Sequence, residues 1–243
     1  MFYLLRLEIR RMLADKRFLI LMLCLPIGMY LLFTNLFGNQ PQSGPPAALE
    51  LMISMAAMGS IGAAMMTTGP RIAQERGNGW LRQLKIMPIR PGTVIGAKLL
   101  SAMLSAIPAI ALVDLTAVLD HGVRLSAGQW LGIGALLLLG TAPFAALGAV
   151  IGYLTDDASA FAVMYGLLIF LSAIGGLWMP VSALPSALRD IARVLPSNRL
   201  ADLGWRIVEG QAPLAADGLV LAAWLAGFTG LAVLGYRRAN VAR

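Results

Sequence analysis

Three ionisable side chains lie close together in this sequence and are the first candidates for chemistry. Asp114, Asp120 and His121 fall within eight positions of one another, and such residues can bind a metal ion or relay a proton. His121 is the only histidine in the chain, so the usual histidine-rich metal clusters cannot form. We interpret His121 as a solvated loop residue and predict no metal ligand.

Asp114 differs from the other two because it lies well within an apolar stretch of membrane-spanning length. An acid at such a depth is a functional candidate by default. Two roles stay open for Asp114. It could be a structural carboxylate that reaches water near the outer end of its helix, or it could line a substrate path.

The sequence lacks the signatures of the common enzymes. A phosphate-binding loop needs G-x-x-x-x-G-K-[ST], in which backbone amides surround the phosphates and the lysine offsets their charge. The run from Gly92 to Lys98 comes nearest, but its glycine spacing is wrong. No serine stands in a G-x-S-x-G setting. We therefore predict that the chain is not an enzyme and binds no cofactor of its own.

The stretches that would position these residues are strongly apolar. Of 243 residues, 58% are hydrophobic and 13% are charged, whereas soluble domains carry about 25% charged residues. The basic residues cluster at the ends of the apolar stretches, which favours contact with membrane lipid and argues against nucleic acid. The single cysteine, Cys24, excludes an intrachain disulfide and is interpreted as a packing residue.

These features predict an all-α polytopic membrane protein with one transmembrane domain, residues 1–243. Six segments are predicted to span the membrane, at about 18–38, 51–69, 94–119, 130–153, 158–179 and 219–236. Gly148 and Gly152 in the fourth segment have a small-xxx-small spacing that favours close helix packing.

Two further segments are amphipathic and too short to span. Residues 2–17 carry an apolar stripe with basic residues beside it, which predicts an N-terminal interfacial helix. Residues 182–209 contain two short helical repeats, which predict an outer re-entrant or amphipathic hairpin. In its first repeat, Leu188 and Ile191 lie on the apolar stripe.

The connection between the second and third spans is the longest basic connection in the chain. Gly77 and Gly79 predict the end of one helix and a turn. Residues 80–87 can then form about two helical turns, closed by Pro88. Trp80 and Leu84 fall one turn apart on this short helix. An amphipathic helix at this place could rest on lipid headgroups or dock a cytoplasmic partner.

The same connection resembles the E-R-x-x-G-x-L-x-x-L-x-x-x-P signature of type-2 ABC-exporter permeases. The matching residues are Glu75, Arg76, Gly79, Leu81, Leu84 and Pro88. In that family the segment is the coupling helix that meets a separate ATP-binding subunit. The resemblance implies that these residues, with Trp80, couple this chain to an ATPase. The chain departs from the common pattern at 77–78, Trp80 and Arg82, while the spacing is kept.

The resemblance covers nearly the whole chain and implies the permease subunit of an ATP-driven exporter. It implies a second permease copy, identical or related, and cytoplasmic ABC ATPase subunits that carry ATP and Mg. The substrate would be hydrophobic or amphipathic. The alternative is a stand-alone secondary transporter, which usually shows inverted repeats and mid-depth charges. A membrane enzyme would need clustered acids or histidines at one interface.

The basic residues also predict an orientation. Fourteen of the 19 Lys and Arg residues lie in the N-terminal segment, in the connection after the second span with Lys98, and at the C-terminus. The positive-inside rule places these regions in the cytoplasm, so that both termini are inside and the number of spans is even. The predicted localisation is the bacterial inner (plasma) membrane, crossed several times.

Overall fold

The computed structural model describes residues 16–37, 46–78, 91–181 and 184–241. Within these ranges the chain forms helices and no strand, so the all-α prediction is confirmed. The helices are α1 (Lys16–Phe37), α2 (Ala47–Gly77), α3 (Pro91–His121), α4 (Ala127–Gly140), α5 (Ala142–Leu154), α6 (Asp157–Ile174), α7 (Ser186–Val194), α8 (Pro196–Val208) and α9 (Ala215–Val241). Nearly all of the predicted N-terminal interfacial helix lies outside the described residues.

Five helical stretches in the described ranges are long and apolar enough to cross a membrane. They are Ala47–Gly77, Gly96–His121, Ala127–Leu154, Asp157–Ile174 and Ala215–Arg237. α1 adds a shorter apolar stretch, Leu23–Leu36. At 1.5 Å per residue, the shortest of the five extends about 27 Å, close to the thickness of the hydrocarbon core. The chain is therefore a multi-pass membrane protein, and the count of six spans remains a prediction.

α2 lies at the centre of the bundle. It contacts α1, α3, α5, α6 and α8, and its residues from Met52 to Gly69 are buried without interruption. The helix is rich in Ala, Gly, Ser and Met, whose small or flexible side chains let neighbouring helices approach closely. Its 31 residues extend about 45 Å, so its two ends reach opposite sides of the membrane.

Glycines bring α5 into backbone contact with α2. A Cβ atom built at Gly148 would lie 2.0 Å from Thr68 Oγ1, and one at Gly152 would lie 2.5 Å from the carbonyl oxygen of Gly69. No side chain fits at such distances. The spacing of Gly148 and Gly152 therefore serves the close packing of α5 against the central helix.

Substitution of Gly152 by alanine is expected to destabilise the protein, because the added methyl group would overlap a backbone oxygen that cannot move aside. Overpacking of this kind costs about 1–3 kcal/mol. Gly166→Ala in α6 is the matched control, since a Cβ there meets nothing within 4 Å. We expect a lower midpoint of thermal aggregation in detergent for Gly152→Ala and no loss for Gly166→Ala. Equal midpoints would contradict the close contact of α5 with α2.

The fourth predicted segment is not one continuous helix. Thr141 separates α4 from α5, and Pro143 follows in the first turn of α5. A proline lacks the amide hydrogen and displaces the carbonyl four residues earlier, which interrupts the helical ladder. The Thr141 hydroxyl donates to the Leu138 carbonyl oxygen at 2.6 Å and satisfies one of the acceptors at this break.

The fifth segment ends earlier than predicted, at Ile174. Gly176 has a φ of +79°, a conformation that favours glycine, and it turns the chain away from α6. The amino end of α8 then closes the end of α6. The Ser197 hydroxyl donates to the Leu171 carbonyl at 2.8 Å, and the Asn198 amide donates to the Gly175 carbonyl at 3.0 Å.

Two side chains face differently from the sequence interpretation. Cys24, interpreted as a packing residue, is exposed on α1. Ile191, placed on the apolar stripe of the hairpin, is 50% exposed, whereas its neighbour Ala192 is fully buried. Within the single chain Ala192, and not Ile191, is therefore the buried residue of this part of α7, while Leu184 of the predicted stripe is buried as well.

Candidate functional site

The C-terminal end of α2 is fixed to α3 by an ion pair. Lys98 Nζ lies 2.8 Å from Glu75 Oε1 and 2.7 Å from Oε2. The two side chains are only 11% and 12% exposed, so the pair is shielded from water. A lysine at this depth requires a counter-charge, because burial of an unpaired ammonium group is costly.

The next residue, Arg76, fixes α2 to the far side of the bundle. Its guanidinium donates through Nη1 to the carbonyl oxygen of Tyr153 and through Nη2 to that of Thr155, the latter at 2.6 Å. These carbonyls belong to the C-terminal end of α5, where helical acceptors lack partners within the helix. A cation there also complements the helix dipole. Glu75 and Arg76 together join α2 to α3 and to the turn between α5 and α6; we call these contacts the α2 clamp.

The turn that Arg76 contacts is itself well defined. The Asp156 carboxylate caps α6 by accepting hydrogen bonds from the Ser159 hydroxyl at 2.6 Å and from the Ser159 amide at 2.8 Å. These hydrogen bonds hold the pKa of Asp156 below its usual range, because they stabilise the ionised carboxylate. At neutral pH the Asp156 carboxylate is therefore ionised and keeps its capping hydrogen bonds in this turn.

The α2 clamp uses two of the residues that the sequence assigned to ATPase coupling. The other five, Gly79, Trp80, Leu81, Leu84 and Pro88, lie outside the described residues. Sequence reasoning noted Lys98 only as a basic residue near the end of a span. A lysine inside a largely apolar stretch does signal a nearby acid, but the sequence does not say which one.

Asp114 lies on α3 about two turns before the helix ends. Its Oδ1 atom is buried and has no hydrogen-bond partner within the described part of the chain. Asp114 does not line the large cavity described below. Its assignment to a substrate path remains a prediction.

His121 is the last residue of α3 and not a loop residue. Its Nδ1 atom lies 3.0 Å from Asp120 Oδ2, and its ring meets the ring of Tyr30 edge to face at 5.7 Å. Across the described ranges, no group of three His, Cys, Asp or Glu residues could hold a metal ion. The ring contact of His121 connects the end of α3 to α1 at Tyr30.

A cavity of about 910 Å³ opens at the other end of α2. The ends of α1 and α2, the segment after α6, and helices α7 and α8 form its walls. Trp205 on α8 holds the wall in place, because its indole Nε1 donates to the Glu50 carbonyl and to Ser54 Oγ, both at 3.2 Å. Trp178 similarly donates to Met58 Sδ at 3.3 Å. The cavity is large enough for a drug-sized molecule.

Ion pairs connect the α8 wall of the cavity to α9. Arg199 Nη1 on α8 lies 2.8 Å from Asp217 Oδ1 on α9, whereas Arg206 Nε pairs within α8, 2.9 Å from Asp202 Oδ2. Asp217 is fully buried, and Arg206 approaches its second oxygen to 3.9 Å. The hairpin of α7 and α8 is therefore anchored to the last long helix and not loosely attached.

Comparison with known proteins gives two matches over most of the chain. The sequence profile of the family described as ABC-2 family transporter protein matches residues 46–234. A curated relative from Bacillus subtilis (strain 168), named "Putative transport permease YvfS", is 28% identical over 218 residues. The alignment covers 90% of this chain and 89% of the relative. The α2 clamp and every lining residue of the cavity except Phe33 lie within residues 46–234.

Proposed function

The chain belongs to the ABC-2 family of transporter proteins, and on this premise we propose that it is the permease subunit of an ATP-driven exporter. ATP and Mg would bind to separate cytoplasmic ABC ATPase subunits, and this chain would form the translocation path with a second permease copy. The observation that carries the proposal is the α2 clamp, whose residues Glu75 and Arg76 begin the coupling signature.

The α2 clamp supplies a mechanical route for coupling. A force on residues 79–88 would reach the central helix directly through Gly77. The Glu75–Lys98 pair would transmit the same displacement to α3, and the hydrogen bonds of Arg76 would transmit it to the turn between α5 and α6. Interlocked helices move as units because close-packed interiors deform little. Movement of one short segment would thus shift several spanning helices together.

The exposed apolar side chains support a place in the bilayer beside a second copy. Phe161 and Phe170 on α6 and Leu219 and Leu231 on α9 are 45–71% exposed in the single chain. Lipid or a second permease would cover such surfaces in the membrane. We place the protein in the bacterial inner membrane with both termini in the cytoplasm.

Labelling of single cysteines tests this arrangement. In a Cys24→Ala background, cysteines at positions 42 and 124 should react with an impermeant maleimide from outside the cell. Cysteines at positions 79 and 158 should react only after the membrane is permeabilised. Arg124 and Ala158 are exposed in the structure, so both positions are accessible to the reagent.

The outcome at position 79 decides the proposal. Labelling from outside would place the coupling segment where a cytoplasmic ATPase cannot reach it, and ATP-driven coupling through that segment would be excluded. Outside labelling at position 158 alone would instead indicate a different number of spans between α3 and α6.

A further inference from the structure

The cavity at the amino end of α2 lies about one membrane thickness from the α2 clamp. Glu50 lines the cavity, and Glu75 belongs to the clamp, 25 residues later on the same helix. At 1.5 Å per residue these positions are about 37 Å apart, more than the thickness of the hydrocarbon core. The cavity and the clamp therefore belong to opposite leaflets of the membrane.

Helix α7, which forms one wall of this cavity, lies at the depth of the lipid. The Trp224 indole on α9 donates at 3.0 Å to the carbonyl of Val194, the last residue of α7. The apolar stretch of α9 that is long enough to cross a membrane begins at Ala215, so Trp224 lies nine residues, or about 13 Å, inside it. The end of α7 is thus held beside a spanning helix, where lipid head groups meet the acyl chains.

α7 presents different side chains on its two sides. Arg189 and Arg193 lie one helical turn apart on the same face, and both line the cavity. Ile191 and Val194 lie on the roughly opposite face and are 50% and 60% exposed. A helix at this depth rests its apolar side chains in lipid and keeps its basic groups near the phosphates. α7 is therefore an interfacial helix whose basic face borders the cavity.

The arginines of α8 already have counter-charges. Of the described residues that line the cavity, four are arginines and three are acids. Arg199 pairs with Asp217 of α9, and Arg206 pairs with Asp202 within α8. Asp190, the acid on α7, is exposed and does not line the cavity. The two arginines of α7 are therefore the cationic groups that the cavity presents beyond these pairs.

The remaining acids of the lining, Glu50 and Glu209, lie towards the far end of α8. The Glu50 carbonyl accepts the indole hydrogen bond of Trp205, and Glu209 follows the last residue of α8. Arg199 marks the near end, because its guanidinium donates to the Arg193 carbonyl. Trp205 and Glu209 are six and ten residues beyond Arg199, or about 9 and 15 Å along the helix. The cavity is thus basic at its α7 end, away from the glutamates.

A phosphate group suits this basic end. Guanidinium groups bind phosphate through parallel N–H donors in a planar geometry. Arg193 is exposed and forms no ion pair with another described residue. Arg189 Nη2 donates to the Leu184 carbonyl at 3.2 Å, which fixes its side chain at the cavity wall. Phe33 and Trp178 add apolar lining on which hydrocarbon can pack.

We propose that the α7 end of the cavity binds the phosphate head group of an anionic phospholipid from the adjoining leaflet. Arg189 and Arg193 contact the phosphate, and Phe33 and Trp178 contact an acyl chain. This inference goes beyond the proposed permease function, because it needs neither an ATPase nor a direction of transport.

Two lipids with identical acyl chains and different net charge test this site. Dioleoylphosphatidylglycerol is anionic, whereas dioleoylphosphatidylcholine is zwitterionic. Native mass spectrometry of the purified full-length chain in detergent would measure the saturable binding of each lipid during a titration. We expect phosphatidylglycerol to bind about tenfold more tightly than phosphatidylcholine, which corresponds to about 1.4 kcal/mol. Arg189→Gln with Arg193→Gln should remove this preference.

Arg124→Gln is the matched control for the loss of an arginine. Arg124 is exposed between α3 and α4 and does not line the cavity. This variant should keep the preference for phosphatidylglycerol. Should the double variant fail to fold, Arg193→Gln alone should reduce the preference from an exposed position, and Arg193→Lys should retain more of it than Arg193→Gln.

Equal affinity for the two lipids would overturn the inference, as would a preference that persists in the glutamine variants. Competition with glycerol 1-phosphate distinguishes a lipid from a soluble phosphate ester. We expect no displacement of phosphatidylglycerol at equal concentrations, and displacement would refute a lipid ligand. The assay contains no ATPase, so its failure leaves the proposed coupling untouched, and a failure of the coupling leaves the lipid site in place.

Discussion

Replacement of Leu84 by Glu is expected to abolish transport while the permease remains folded and inserted. Leu84 and Trp80 lie one turn apart on the helix predicted for residues 80–87, where a docking helix would insert them into a groove of the ATPase subunit. Buried anchors of this kind carry about 2 kcal/mol or more of an interface. A loss of 2 kcal/mol weakens the affinity for the ATPase about 30-fold.

Lys85→Gln is the matched control, because it changes the neighbouring position and removes only a charge at the edge of the contact. Such rim charges contribute little to affinity. Co-purification and ATP hydrolysis stimulated by the permease would be measured for both variants. If the helix merely rests on lipid headgroups, Lys85→Gln would loosen membrane contact, and ATPase binding would be unchanged in both. Normal ATPase binding by Leu84→Glu would refute the coupling helix.

The helical class of the protein was predictable because one physical requirement dominates. A chain in lipid must satisfy its backbone hydrogen bonds internally, so long uncharged stretches become helices. The described helices α2, α3, α6 and α9 overlap the segments predicted from these stretches. Their ends are less predictable, because polar residues such as those from Arg71 to Gly77 continue the helix of α2 into the interface.

The break between α4 and α5 had a signal in the sequence that the hydrophobic pattern obscured. Pro143 stands within an apolar run long enough to cross the membrane, and hydropathy does not register the loss of one amide hydrogen. The burial of Ala192 on α7 beside the exposed Ile191 had no such signal. It depends on how closely α7 approaches its neighbours, which is a property of the tertiary structure.

The candidate site, too, was predictable from the sequence only in part. Glu75 and Arg76 were recognisable because their spacing matches a family signature. Their partners Lys98, Tyr153 and Thr155 are 23 or more residues away, and only the packing of α2 with α3 and α5 brings them together. The cavity at the amino end of α2 likewise joins four separate regions of the chain, so no local pattern predicts it.

Neutralisation of one partner of the Glu75–Lys98 pair is expected to cause a large loss of stability. Removal of either charge breaks this shielded ion pair, and breaking a buried pair by removing one partner typically costs about 3–5 kcal/mol. For a chain of this size, 3 kcal/mol lowers the melting temperature by roughly 6–12 °C. Glu75→Gln and Lys98→Met should each show this loss in a thermal aggregation assay.

The double variant, Glu75→Gln with Lys98→Met, distinguishes a buried pair from two independent residues. It leaves no uncompensated charge, so it should be more stable than either single variant, whereas independent effects would add. Asp190→Asn, which removes an exposed acid on α7, should change stability by about 0.5 kcal/mol or less.

The same variants separate the α2 clamp from a direct ATPase contact at Glu75. If Glu75 contacted the ATPase, Glu75→Gln would lower affinity for that subunit and leave the melting temperature unchanged, and Lys98→Met would not affect binding. If Glu75 acts through the clamp, both single variants lose stability together. The double variant then regains stability but uncouples transport from ATP hydrolysis, because α2 no longer carries α3 with it. Additive losses in the double variant would refute the clamp.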